Sequence, residues 1–189
     1  MKGNDAIRKA EIRHSIKELK RNVSDSDKCR FADMAFSLLE RIPIFGDAER
    51  ILCYYSLPDE LPTLAFLTKW QKRKSLFLPR VNGMNLDILK YDEQRLQKGA
   101  FSIEEPVGED LVPINTIQLV IVPGVAFDRN GNRLGRGKGF YDRLLAGSSA
   151  LKVGICYPFQ LIDDIPSQSH DVRMDMIITD TEVLDFQNK

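Results

Sequence analysis

No apolar run in this chain of 189 residues approaches the roughly 20 residues needed to cross a bilayer as a helix. The opening stretch, MKGNDAIRKAEIRHSIKELK, is charged throughout and lacks the apolar segment of a secretory signal. Net charge is missing too: 27 Lys+Arg balance 27 Asp+Glu. No global field therefore draws the chain to nucleic acid or a membrane, and any anion site must be a local cluster. Cysteines number three, Cys29, Cys53 and Cys156, an odd count with no CxxC pair. Cys53 and Cys156 sit in apolar, strand-like runs, the usage of a reducing compartment. The only histidines, His14 and His170, have no triad or metal pattern around them. Repeats, low-complexity tracts and linkers are absent. These absences predict a cytoplasmic monomer that handles small molecules, a single domain over residues 1–189 with amino-terminal helices at about 7–41.

What is present has an α/β texture. Ile7–Arg21 reads as a helix, with Ile12, Ile16, Leu19 and Val23 on one face and Lys9, Arg13, Lys17 and Lys20 in a stripe beside it. Ser24 suits an N-cap for a second helix that ends before Pro43. Arg50–Leu57 reads as a buried strand broken at PDELP, and Thr63 to about Lys72 as a helix. Ser75–Pro79 and Leu86–Tyr91 read as strands around a turn at Val81-Asn82-Gly83, and Glu93–Asp110 as a loop. Ile117–Pro123 (IQLVIVP) is apolar almost throughout, as a central parallel strand covered on both faces is. A helix from about Gly139 to Leu145, strands at Leu151–Tyr157 and Met174–Thr179, and an edge strand at Val183–Phe186 complete the pattern. Alternating strands and helices predict an α/β sandwich around a mainly parallel sheet.

Between that central strand and its following helix lies RLGRGKGFYDR, residues Arg133–Arg143. Ligands in such folds sit beyond the carboxyl ends of strands. Gly135, Gly137 and Gly139 give backbone freedom and close approach. Arg133, Arg136 and Lys138 add charge, and the helix start adds its partial positive charge. The combination reads as a phosphate cradle, the alternative being a flexible basic surface loop. Two other phosphate motifs are excluded. Walker A needs Ser or Thr after Gly137-Lys138 and a glycine where Asn132 stands; the dinucleotide fingerprint needs GxGxxG, and the spacing here is GxGxG. Asp142 either shares Mg²⁺ with phosphate oxygens or only meets the helix dipole.

These residues resemble the 5-formyltetrahydrofolate cyclo-ligase family. PGVAFD (Pro123–Asp128) and RLGRGKGFYDR are similar to its signature, KAEIR (Lys9–Arg13) to its K-x-x-x-R helix, and SLPDELPT (Ser56–Thr63) to its S-x-x-x-E turn. FLPRV (Phe77–Val81) and HDVRMD (His170–Asp175) resemble two further segments in the same order. The resemblance implies a three-layer α/β/α sandwich of the NagB/RpiA/CoA-transferase-like type. It also implies ATP- and Mg²⁺-dependent cyclisation of 5-formyltetrahydrofolate to 5,10-methenyltetrahydrofolate through a phosphorylated formyl intermediate, with ADP and phosphate released. ATP would meet Lys9, Arg13 and the run Arg133, Leu134, Gly135, Arg136, Gly137, Lys138, Gly139, Phe140 and Tyr141. The folate would meet Tyr55, Glu60 and Arg136 through Phe140, and Mg²⁺ would meet Asp142 and Asp175. Arg136, Lys138 and Glu60 would carry catalysis, Glu60 either as pterin ligand or as base. Phe140 departs from the Tyr-Tyr pair common in the family, and Trp70 lies too early to wall the folate, which leaves Phe101 and Met84 as guesses for that wall. A sugar-phosphate or CoA enzyme and a non-catalytic folate- or nucleotide-binding regulator are the rival readings.

Overall fold

The computed structural model describes residues 2–99 and 103–187. Helix α1 (Lys2–Arg21) starts earlier than Ile7 and runs through a segment rich in Ala, Lys, Glu and Arg. Ser24 caps α2 (Asp25–Glu40), its hydroxyl accepting from the Asp27 N–H. Ala32, Ala35, Phe36 and Leu39 recur at helical spacing and are the buried face of α2. Pro43 does more than end a helix. It occupies the first turn of a short α3 (Pro43–Asp47), where its missing N–H costs nothing. Helix α4 spans Leu64–Trp70 and α5 spans Phe140–Leu145.

The strands are β1 (Arg50–Leu52), β2 (Ser75–Asn82), β3 (Asn85–Lys90), β4 (Leu96–Lys98), β5 (Glu104–Pro106) and β6 (Leu119–Val122). They continue with β7 (Ala126–Asp128), β8 (Arg133–Leu134), β9 (Leu151–Ile155), β10 (Leu161–Ile162), β11 (Met176–Ile178) and β12 (Val183–Asp185). Seven form one sheet in the order β12-β11-β9-β6-β1-β2-β3. Its inner pairings are parallel, and β3 and β12 close the two edges antiparallel. This is the mainly parallel sheet flanked by helices that the sequence predicts.

Residues alternate between the two faces, as a period of two requires. Ile51, Leu119, Ile121, Val153 and Ile178 join the core under α2, α3 and α4, whereas Leu52, Val120, Val122 and Ile177 join the core on the α5 side. On that side Phe127 is fully buried, its ring lying over Gly124 and Gly154. A Cβ on Gly154 would stand 2.5 Å from the ring, and one on Gly124 2.6 Å from it, so both positions need glycine.

Three expectations are corrected. The 93–110 segment is not all loop: β4 and β5 pair antiparallel within it. A second small sheet, β10-β7-β8, follows β6 and is missed because its strands are two or three residues long. On α1, Ile16 is buried against this small sheet but Leu19 is 46% exposed, and Lys20 is the buried neighbour instead. The helix rests on a narrow seam, and a carboxylate on the facing turn draws Lys20 in.

Strand order also fixes where a ligand can sit. The chain moves outward from β1 to β2 and β3 on one side, then returns to β6 on the other side and moves outward through β9 and β11. The reversal falls between β1 and β6, and in such sheets a crevice opens at the carboxyl ends of the two strands that flank it.

Candidate active site

A cleft of about 910 Å³ opens at that reversal. Tyr54 and Tyr55, just after β1, and Pro123 and Gly124, just after β6, form its floor. One wall is the loop from β8 into α5, and another is the turn at Leu57–Glu60. Helix α1 reaches over the rim with Lys9 and Arg13, and Pro79, Val81, Leu86 and Ile103 make an apolar side.

The loop is set from below by Asp128, which is fully buried and has no ion-pair partner among the described residues. Its carboxylate accepts from the N–H groups of Asn130, Asn132 and Ile165 and from the Asn132 side chain, at 2.8–3.0 Å. Four donors satisfy it and fix the turn that launches β8. Gly137 and Gly139 have φ of 97° and 67°, in the left-handed region. Gly135 does not, and a Cβ there would stand 3.0 Å from Arg133 Nη1, a close approach to the guanidinium.

The cations differ in how they are held. Arg133 is nearly buried; it donates to Pro123 O at 3.2 Å and to Asp142 Oδ1 at 3.0 Å, and so ties the end of β6 to α5. Arg136 reaches across the cleft to Asp59 Oδ1 (2.6 Å) and Glu60 Oε1 (3.3 Å). Lys9 Nζ lies 2.9 Å from Asp171 Oδ2. Arg13 donates from Nε to Gly135 O at 2.9 Å, and burial lowers its pKa from the ordinary value. Lys138 is exposed and has no carboxylate partner among the described residues.

Glu60 stands on a turn that is stiffer than two flanking prolines alone would make it. Its N–H closes on Leu57 O at 2.9 Å, and its Oε2 accepts from Leu57 N–H at 3.0 Å. The Tyr157 hydroxyl donates to Glu60 O and the Tyr54 hydroxyl to Leu61 O, each at 2.9 Å. Ser56 and Thr63 exchange side chain to backbone hydrogen bonds across its base. Sequence reasoning passed over Tyr54, Tyr157 and Asp59, since their contacts span up to 97 residues.

Every expected site residue lines this cleft except Asp175. Asp175 lies just before β11, at the amino end of a parallel strand and so at the far end of the sheet. Its carboxylate takes the Lys152 N–H at 2.8 Å and the Lys152 Nζ at 2.9 Å. The acid of HDVRMD that reaches the cleft is Asp171, beside Asp142; the Val172 N–H donates to Asp142 Oδ1 at 3.4 Å. The signal was present, because an acid that opens a parallel strand points away from the ligand edge. Met84 is 73% exposed, and Trp70 packs into the core with Nε1 donating to Glu40. Phe101 lies outside the described residues.

Among the described residues no helix is long and apolar enough to cross a membrane, and no three His, Cys, Asp or Glu gather as a metal cage. The cleft therefore offers glycine backbone and cations on one wall, a fixed carboxylate, Glu60, on another, and Asp142 and Asp171 among its further carboxylates.

The model of the 5-formyltetrahydrofolate cyclo-ligase family matches residues 5–180. The 5-formyltetrahydrofolate cyclo-ligase of Haemophilus influenzae is 29% identical over 181 residues, covering 88% of this chain and 95% of that protein. That of Mycolicibacterium smegmatis is 30% identical over 184 residues, covering 90% and 93%. Among solved structures, Aquifex aeolicus 5,10-methenyltetrahydrofolate synthetase aligns with a TM-score of 0.86 and 33% identity, over 94% of this chain and 92% of that one.

Proposed function

This chain belongs to the 5-formyltetrahydrofolate cyclo-ligase family, and on that premise we propose how its cleft divides between two substrates. ATP lies along the Gly-rich loop under Lys9 and Arg13. The folate lies against the Glu60 turn and the apolar side at Pro79, Val81 and Leu86. One observation carries this: residues 125 positions apart in sequence, Arg13 and Lys138, share one cleft with Glu60 and Tyr55 at the strand reversal. The residues from Lys9 to Asp171 that build it support one cyclo-ligase domain over 1–189, complete within a monomer. The zero net charge gives no pull toward nucleic acid, and the three free cysteines suit the cytoplasm.

A formamide at N5 is a poor electrophile, and its oxygen must first become a leaving group. The γ-phosphoryl group moves from the β-phosphate oxygen of ATP to the formyl oxygen, releasing ADP. N10 then bonds to the activated carbon and releases its proton, the carbon–oxygen bond breaks, and phosphate departs with the oxygen. Such transfer needs positioning and charge neutralisation rather than a protein nucleophile. Lys138 and Arg136 supply the charge, and Lys9 and Arg13 orient the phosphates. Glu60 accepts hydrogen bonds from the pterin N–H edge.

Mg²⁺ fits Asp142 and Asp171, two oxygen donors on one cleft, the usual protein share for this ion with phosphates. Asp171 takes the place expected of Asp175. When bound, the ion supplies neutralisation of phosphate oxygens. Arg133 and Lys9 now pair with these carboxylates, and phosphate oxygens are competing partners for both cations.

The test is absorbance of the methenyl product formed from 5-formyltetrahydrofolate, ATP and Mg²⁺. Product that requires all three supports the reading. Tight folate binding without product points to a regulator, and no folate binding to a sugar-phosphate or CoA enzyme.

A further inference from the structure

Four charged side chains form a continuous series of contacts that the substrate roles above leave half explained. Lys20, its side chain 5% exposed, meets Asp59 Oδ2 at 3.3 Å. The other oxygen of Asp59 accepts from Arg136 Nη2 at 2.6 Å. Arg136 also donates from Nε and Nη2 to Glu60 Oε1, each at 3.3 Å. Arg136 stands between Gly135 and Gly137, so its backbone does little to direct the guanidinium. Its acceptors decide where that group goes.

Glu60 is also the acceptor that the heterocycle needs. A folate N–H edge bonded to Glu60 Oε1 competes with Arg136 for that oxygen, and the two guanidinium contacts there, at 3.3 Å each, are long enough to yield. Asp59 is then the one carboxylate left on the guanidinium among the described residues. It is well placed for this, because Lys20 fixes its second oxygen and is itself too buried to turn to water. Burial works to raise the Asp59 pKa, but Lys20 and Arg136 outweigh it, and the carboxyl lies below its ordinary value.

We propose that Asp59 is a positioning residue for the cyclisation: once the folate takes Glu60, Asp59, braced by Lys20, alone holds the Arg136 guanidinium in place for the triphosphate. The inference rests on the assignment of Glu60 to the folate and Arg136 to ATP. It separates two neighbouring acids by role, one turned to the substrate and one to the arginine. A purely structural brace matters equally in every state, whereas this one matters most with folate bound.

The experiment measures the affinity of a non-hydrolysable ATP analogue with Mg²⁺, with and without saturating 5-formyltetrahydrofolate. Without folate, Asp59→Asn binds the analogue within about twofold of wild type, because Glu60 still holds Arg136. With folate it loses about tenfold or more, the scale of a lost charged hydrogen bond. Asp59→Glu recovers part of the loss, and Lys20→Met shows the same folate-dependent pattern more weakly. Equal losses in both states, or no loss with folate bound, overturn the inference and leave the two-substrate reading standing. A wild-type protein that fails to bind the reduced folate overturns that reading and the inference with it.

Discussion

Lys138 stands apart from Arg133 and Arg136 as an exposed cation with no acid to hold it among the described residues. Lys138→Ala is expected to lower kcat/KM for ATP about 100-fold or more, the scale of losing one preorganised charge at the reacting group; near wild-type turnover at low ATP would remove it from the cradle. Glu60→Gln keeps the shape of its turn but sets an amide donor against ring N–H groups. Folate affinity should fall roughly 5- to 150-fold, about 1–3 kcal/mol, while the ATP analogue binds folate-free protein nearly as before; titration calorimetry of both ligands distinguishes this from a surface role. Asp142→Asn and Asp171→Asn should each raise the Mg²⁺ concentration for half-maximal rate, and Asp175→Asn should not. A shifted magnesium titration for Asp175→Asn alone would reverse the assignment. At this scale the Gly-rich wall of the cleft was readable because its residues lie together in RLGRGKGFYDR. The choice between Asp171 and Asp175 was readable only through strand direction, because four residues separate them and that direction alone tells which end of the sheet each reaches.

Among the elements, long periodic segments were legible and short ones were not. α2 and β6 announce themselves through their own spacing of apolar residues. The strands of the small sheet, β7, β8 and β10, exist only through partners elsewhere in the chain, as when Leu161 pairs with Phe127. Nothing local marks them. Phe127 shows how such a strand sets the cleft floor, since its ring fills the space that side chains at 124 and 154 would need. Gly154→Ala is therefore expected to destabilise the protein by about 1–3 kcal/mol through overpacking, read as a lower urea midpoint at unchanged slope. An unchanged midpoint would mean that the ring has room to move.

Across the whole molecule, α1 packs on the small sheet and lends Lys9 and Arg13 to the cleft. Ile16 anchors it, and besides the exposed Arg8–Asp164 pair two more deeply set ion pairs, Lys9–Asp171 and Lys20–Asp59, tie it down. At both carboxyls burial works to raise the pKa, and the bound lysines outweigh it and hold them low. Groups whose folded pKa is depressed contribute stability above their unfolded value, lost as pH falls through the folded one. Docking of α1 should thus be insensitive to these acids above pH 5 and weaken below roughly pH 4. Hydrogen exchange of α1 amides against pH checks this, and uniform protection down to pH 3 would rule it out. The Lys9–Asp171 bond also spans 162 residues. A nascent chain leaves the ribosome amino end first, so α1 and the strands from β1 to β10 emerge before the partner of Lys9 does, and β11 and β12 after it. The site therefore closes only near the end of synthesis, and a chain interrupted before residue 171 lacks β11 and β12 as well as a finished cleft.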